Sequence, residues 1–414
     1  MARSMAFGLA QKIGRPICLK VLVSSTLANV MAASKIAILA DYPLHFLPHS
    51  PFPPPAGHYA TWLPQLAKSF EEERAWECHW VVLDSAVSVE QKIQSKNQIF
   101  HVLPSWKRRR AATLFMADRH KIHQKIREID PDLVHGWGNE NVWGWATAAS
   151  GRKNIFSIQG LLGFYGKVGH QGLRNRLMAL IESVVLRKAM MVTAESPWTA
   201  GQVKRLYGRN DLKVVEYGVP LEFFEADYVP DMQKPYAVMI GTADFRKGID
   251  FAIKLFSRPE LAHVHLKVIG GVAPFGEKWK KISPANIEWL GRKNQAEIIR
   301  LMAGATCLVL PTRGDTGPTV AKEARVIGLP LVASPHGGHI QYLEHEKNGF
   351  VFGLDEPESW SQAIRYLFHD LTRAQAMGKV FWEKHRELLR PEKTAKAFAA
   401  LYAEVLGRPP GKRT

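Results

Sequence analysis

Residues 310–338 read LPTRGDTGPTVAKEARVIGLPLVASPHGG. An apolar run ends at Leu310, and a turn carrying Gly314, Asp315 and Gly317 leads into a helix predicted from about Pro318. Proline at a first helical position with Thr319 beside it makes a sound helix start. A second apolar run, 329–333, follows, and then the glycine pair Gly337 and Gly338. Strand, glycine turn, helix and strand make one unit of a parallel α/β sheet. Such sheets bind ligands beyond the carboxyl ends of their strands.

Outward from this stretch the same unit repeats. Short apolar runs predict strands at 36–40, 80–83, 99–103, 132–135, 154–158, 190–193 and 214–216. A second series covers 236–240, 265–269, 287–290, 307–310, 329–333 and 350–352. The runs are apolar throughout, as expected of parallel strands covered on both faces. Helical patterns lie between them, for example over 58–70, 112–128 and 173–187. The pattern predicts two Rossmann-like, doubly wound α/β domains, 35–228 and 229–390, with the joint where Pro230, Asp231 and Pro235 break the periodicity. A last helix near 393–406 carries Phe398, Leu401, Tyr402 and Val405 on one face, which needs a partner in its own domain or in the first. Residues 407–414 read as a tail.

The chain has 414 residues, 46% apolar and 22% charged, which suits two globular domains of similar size. Lys and Arg number 55 against 38 Asp and Glu, a net charge of +17, and the excess is spread along the chain. Such a balance favours anionic partners, including nucleotide phosphates and anionic lipid. No zinc-finger, RRM-like or helix-turn-helix signature accompanies it, so nucleic acid is not the expected partner. Three scattered cysteines, Cys18, Cys78 and Cys307, form neither a metal-ligand spacing nor a disulfide framework and fit a reducing cytoplasm. Residues 1–34 contain Arg3, Lys12, Arg15 and Lys20 and no acid. They read as a basic extension outside the fold; a targeting segment or an upstream start, with Met31 the true one, stays open.

Asp315 stands before the predicted helix and Glu323 inside it, eight residues on. Ionised carboxylates only accept hydrogen bonds, so both suit a hydroxyl-rich ligand near the helix mouth. A helix cap and a solvated acid would give the same spacing. Amides at a helix start also attract phosphate or sugar oxygens. Residues 240–248, IGTADFRKG, end the first strand of the second series. Lys247 beside Gly248 can point its ammonium at a diphosphate, although a surface lysine at a helix start reads the same way.

These residues resemble the retaining glycosyltransferases of family 4, which have the GT-B fold. That family carries an E-x7-E acid pair, then an apolar strand and a loop with two glycines, here Asp315 and Glu323, 329–333, and Gly337 and Gly338. Its G-R-x(4)-K-G pattern is matched by Gly241, Lys247 and Gly248, with Thr242 in the arginine's place and Arg246 as a substitute. The resemblance implies two domains facing each other across a cleft, the donor on the second and the acceptor on the first. It implies that Glu323 binds ribose hydroxyls and that Asp315, Gly317, Pro318 and Thr319 line the transferred sugar. Lys247 would meet the diphosphate, with neither metal nor cofactor. Asp315 is one methylene shorter than the family's glutamate.

The first domain is marked more loosely. Gly57 falls where the family's glycine-rich loop meets the donor diphosphate or the acceptor. Gln159, in the segment NIFSIQG, replaces a histidine that contacts the donor sugar. His135 holds a similar strand-end place, where a packed histidine is the ordinary alternative. Trp106, Lys107, Arg108, Arg109 and Arg110 precede an apolar cluster and suit an anionic membrane surface, an acceptor phosphate or a solvated helix start. The expectation is a cytoplasmic retaining glycosyltransferase, peripheral on the inner face of the plasma membrane. It would act on a nucleotide-sugar donor and a glycan or lipid-linked acceptor, in cell-surface polysaccharide or glycolipid synthesis. A catalytically silent binding protein on the same fold and a nucleotide-sugar epimerase are the rivals.

Overall fold

The computed structural model describes residues 33–47, 50–53, 61–105, 115–169 and 172–408. Eight strands form the first sheet: β1 (Ser34–Leu39), β2 (Trp76–Asp84), β3 (Gln91–Ser95), β4 (Gln98–Pro104), β5 (Leu133–Trp137), β6 (Asn154–Ser157), β7 (Met191–Ala194) and β8 (Lys213–Val214). Their order is β3-β4-β2-β1-β5-β6-β7-β8. The second sheet holds β9 (Tyr236–Ile240), β10 (His265–Ile269), β11 (Ile287–Gly291), β12 (Cys307–Leu310), β13 (Leu331–Ala333) and β14 (Gly349–Val351). Their order is β11-β10-β9-β12-β13-β14.

All pairings are parallel except β3 with β4. Ile36, Ala37, Ile38 and Leu39 are each fully buried, so both faces of β1 are covered, as its unbroken apolar run requires. The strand β3 escapes sequence reading because QKIQS is polar, pairs antiparallel at the sheet edge and shows solvent alternate residues. β1 begins at Ser34, so the first sheet starts one residue inside the expected extension; residues 1–32 lie outside the described part.

Strand order reverses between β1 and β5 and again between β9 and β12, and a doubly wound sheet opens its ligand crevice at that reversal. The loops after β1 and β5 carry Asp41 and Glu140; those after β9 and β12 carry Lys247 and Asp315. Topology alone therefore gathers the residues of interest at two crevices.

The helix Pro391–Leu406 returns to the first sheet. Its Phe398, Leu401 and Tyr402 join the core of Trp62, Phe70, Trp76 and Trp137. Lys213 pairs with Glu404 at 2.9 Å, and Lys153 donates to the Val405 carbonyl at 3.0 Å. Where the chain crosses between sheets, a β-carbon on Gly218 would lie 2.6 Å from Pro391 Cα, so the two crossings touch. No helix among the described residues is long and apolar enough to cross a membrane. Phe398 is fully buried, edge-on to Trp137 at 5.2 Å. Phe398→Ala should cost about 3–5 kcal/mol in chemical denaturation, since a cavity adds to the lost transfer energy.

Candidate active site

The loop after β9 is shaped by two glycines. Gly248 has φ +79°, and a β-carbon there would sit 1.9 Å from the Pro311 carbonyl oxygen, so only glycine lets the helix Ile249–Phe256 start this close to β12. The Lys247 amide donates to Asp244 Oδ1 at 2.7 Å, and Arg313 holds Asp250 through two bonds of 2.8 Å. Arg313 N also donates to the Arg246 carbonyl at 2.7 Å. These bonds fix the loop against the turn after β12 and direct Lys247 and Arg246 at Asp315.

Lys247 Nζ forms an ion pair with Asp315 Oδ2, and an Arg246 guanidinium nitrogen lies 3.5 Å from the same oxygen. Arg246 also donates to the Gly314 carbonyl at 3.0 Å and stacks over the Tyr165 ring of the first domain at 4.4 Å. Burial alone would raise the Asp315 carboxyl, but Lys247 and Arg246 outweigh it and hold it down at about 2. Side-chain exposure falls from 24% at Arg246 and 18% at Lys247 to 9% at Asp315. The carboxylate is thus a backing counter-ion, and both cations keep part of their side chains exposed.

The turn Gly314–Gly317 is also where the domains meet. Ser196 Oγ and Thr199 Oγ1 donate to the Thr316 carbonyl at 2.6 and 2.9 Å, and the Thr316 hydroxyl donates to the Gln159 carbonyl. A β-carbon on Gly314 would fall 2.2 Å from Phe164, and one on Gly317 would fall 2.4 Å from the Glu195 carboxyl carbon. These glycines therefore make room for the first domain. The helix runs Thr319–Ile327, with Pro318 as its extended cap rather than its first residue. Within it Glu323 is 7% exposed, and its side chain has no hydrogen bond or ion pair among the described residues. Burial pushes its carboxyl up to about 8 against the pull of Lys322. Lys322 is ion-paired across the domain boundary with Glu195.

The structure brings Arg246, Lys247 and Asp315 together, with Gly241, Gly317, Pro318 and Thr319 on the adjoining turns. Thr242 is exposed beside Gly241, and Arg246 lies with Lys247 at Asp315. Gln159 meets the site through its backbone carbonyl. His135 is a correction: fully buried, it uses Nδ1 on the Tyr402 hydroxyl at 2.8 Å and Nε2 on Ser157 at 2.7 Å, inside the first-domain core. Gly57 and Trp106, Lys107, Arg108, Arg109 and Arg110 lie outside the described residues. Sequence reasoning missed Tyr165, Glu140, Glu195 and Lys322. Glu140 sits in the loop after β5, its carboxyl raised by burial and by Asp41 while Arg246 opposes.

Lowered from 3.8 to about 2, Asp315 contributes stability that is full above its ordinary value and lost as pH falls through about 2. Asp315→Asn should therefore lower stability at neutral pH by on the order of 2 kcal/mol, with the gap to wild type closing as acid is added. Unfolding curves at a series of pH values read this, and a pH-independent gap would refute the pairing.

Comparison with known proteins bears on the family and the fold. The family described as "Glycosyl transferases group 1" matches residues 221–380, and "Glycosyltransferase Family 4" matches residues 59–223. An uncharacterized glycosyltransferase of Methanocaldococcus jannaschii is 24% identical over 310 residues, covering 70% of this chain and 82% of that protein. A sucrose-phosphate synthase from Thermosynechococcus elongatus superposes with a TM-score of 0.75 at 17% identity, covering 90% of this chain and 99% of that one. HepE of Anabaena, solved with UDP and glucose, gives a TM-score of 0.64 at 15% identity, covering 89% and 99%. With two matched halves on a pair of facing parallel sheets, the chain belongs to the GT-B glycosyltransferases of the group 1 and family 4 type.

Proposed function

We propose that the chain moves a glycosyl group from a nucleotide-sugar donor to a hydroxyl acceptor, with retention of configuration and without a metal ion. The acceptor in this reading is a glycan or a lipid-linked sugar, in cell-surface polysaccharide or glycolipid synthesis. The observation that carries it is the pair of half-open cations, Lys247 and Arg246, backed by Asp315 at the reversal point of the second sheet. An ammonium has three donors, so Lys247 can keep its carboxylate and still take a phosphate oxygen. The charge that grows on a departing diphosphate is what these groups would stabilise.

Glu323, buried and without a side-chain partner, is suited to a pair of ribose hydroxyls. The acceptor hydroxyl enters on the face that the diphosphate leaves, and the leaving phosphate oxygen takes its proton. Anabaena HepE, solved with UDP and glucose, supports a donor of this class. The basic run Trp106–Arg110 supports a place on the anionic inner face of the plasma membrane.

The test is a thermal-shift screen of the pure protein with UDP, GDP, ADP and their sugars, followed by donor hydrolysis. A nucleotide that binds the native cleft raises the melting temperature. Lys247→Ala should cut hydrolysis of the best donor by roughly 100-fold or more, and Glu323→Ala should abolish the shift. No shift and no turnover with any donor would favour a silent binding protein, and release of an epimer without acceptor would favour an epimerase.

A further inference from the structure

Lys322 and Glu323 are neighbours on one helix and both are buried, yet only the lysine has a partner. Lys322 is 1% exposed; its Nζ is ion-paired with Glu195 at the end of β7 and donates to the Tyr217 carbonyl at 3.1 Å. Glu195 is 5% exposed, with its carboxyl against Gly317. Glu216, beside Tyr217, accepts from the Tyr342 hydroxyl. Of the three carboxyls, Lys322 thus touches that of Glu195 alone, and Glu216 and Glu323 feel the ammonium only as a nearby charge that opposes the rise burial gives them. One cation cannot balance three carboxylates, and a buried unpaired charge takes up a proton instead.

The other charged groups on the elements around this helix are engaged elsewhere. Lys247 and Arg246 are held by Asp315. Arg325 turns to His385 Nδ1 at 3.3 Å and the Val380 carbonyl at 2.6 Å. Arg386 turns to the Val326 and Phe224 carbonyls at 3.2 and 2.5 Å, and Glu222 accepts from Gln295 at 3.2 Å. His339 uses Nε2 on the Ser334 carbonyl at 2.7 Å, and burial lowers it to about 4.

We infer that Glu195 is a positioning residue for charge: by committing the Lys322 ammonium across the domain boundary, it leaves Glu323 to meet the donor as an uncharged carboxylic acid. A neutral carboxyl donates one hydrogen bond and accepts others, so it can serve two adjacent hydroxyls at once, where a carboxylate can only accept. It also adds no negative charge beside a diphosphate. Burial raises both carboxyls, and Lys322, in contact with Glu195 alone of the two, holds that one lower, at about 7 against about 8 for Glu323. What Glu323 touches rests on the proposed donor, but its charge does not.

The experiment uses the full chain labelled with 13C at glutamate carboxyls and follows the NMR resonance that Glu323→Gln removes. Wild-type Glu323 should titrate near pH 8. Glu195→Gln frees the ammonium and should lower the midpoint by about one unit or more, whereas Lys322→Met removes it and should raise the midpoint. Since the two variants move in opposite directions, either suffices if the other fails to fold. A wild-type midpoint in the ordinary carboxylate range, or one unmoved in the folded variants, overturns the inference. A second arm measures UDP affinity against pH. Binding should weaken above the wild-type midpoint and break at lower pH in Glu195→Gln; a break that stays at the wild-type pH in Glu195→Gln would also overturn the inference. Failure of every nucleotide to bind would sink the donor reading, with the titration still deciding the carboxyl's charge.

Discussion

The carbonyl of Thr316 takes two hydroxyls from the first domain, while the residue before it takes two cations from the second. One turn of four residues is therefore both a contact between the domains and the centre of the charged site. The constraint is steric before it is electrostatic. Phe164 and Glu195 occupy the space that side chains at Gly314 and Gly317 would need, so a larger residue there would have to displace the Phe164 ring or the Glu195 carboxylate that pairs with Lys322. Site geometry and domain closure are one packing problem here.

The charge arrangement follows the same logic of layers. Asp315, the deepest of its group, fixes two long side chains that would otherwise lose considerable rotamer freedom on binding an anion. Paying that entropy in the folded protein leaves the cations preorganised at the cleft surface. The aspartate's shorter reach fits a counter-ion pulled back from the crevice. A longer glutamate would bring its carboxylate outward, nearer to where a sugar or phosphate would lie.

The α/β character was legible because parallel strands covered on both faces are apolar without alternation, and each of the 13 apolar runs overlaps one of the 14 strands. β3 did not, since an edge strand can be polar. Lys247 and Asp315, which the structure pairs, were legible through spacing, because each lies just after a strand. His135 misled for the same reason: a strand end looks identical from the sequence whether it opens on a cleft or on Tyr402 of a returning helix 267 residues away. Glu195 and Lys322 carried no signal at all. Their partnership spans 127 residues and two domains, and a lysine within a helix reads as solvated until the fold buries it.

Net charge was a similarly blunt guide. The chain carries +17, yet the first-domain loops at the carboxyl ends of β1, β5, β6 and β7, residues 40–47, 138–142, 158–161 and 195–196, hold Asp41, Glu140 and Glu195 and no lysine or arginine. A dianion entering between the sheets would meet acids on that side. Of the second-domain cations, Lys322 is paired with Glu195, while Lys247 and Arg246 gather at Asp315. These two cations belong to the second domain and the three acids to the first, a local asymmetry that the overall surplus of positive charge does not reveal.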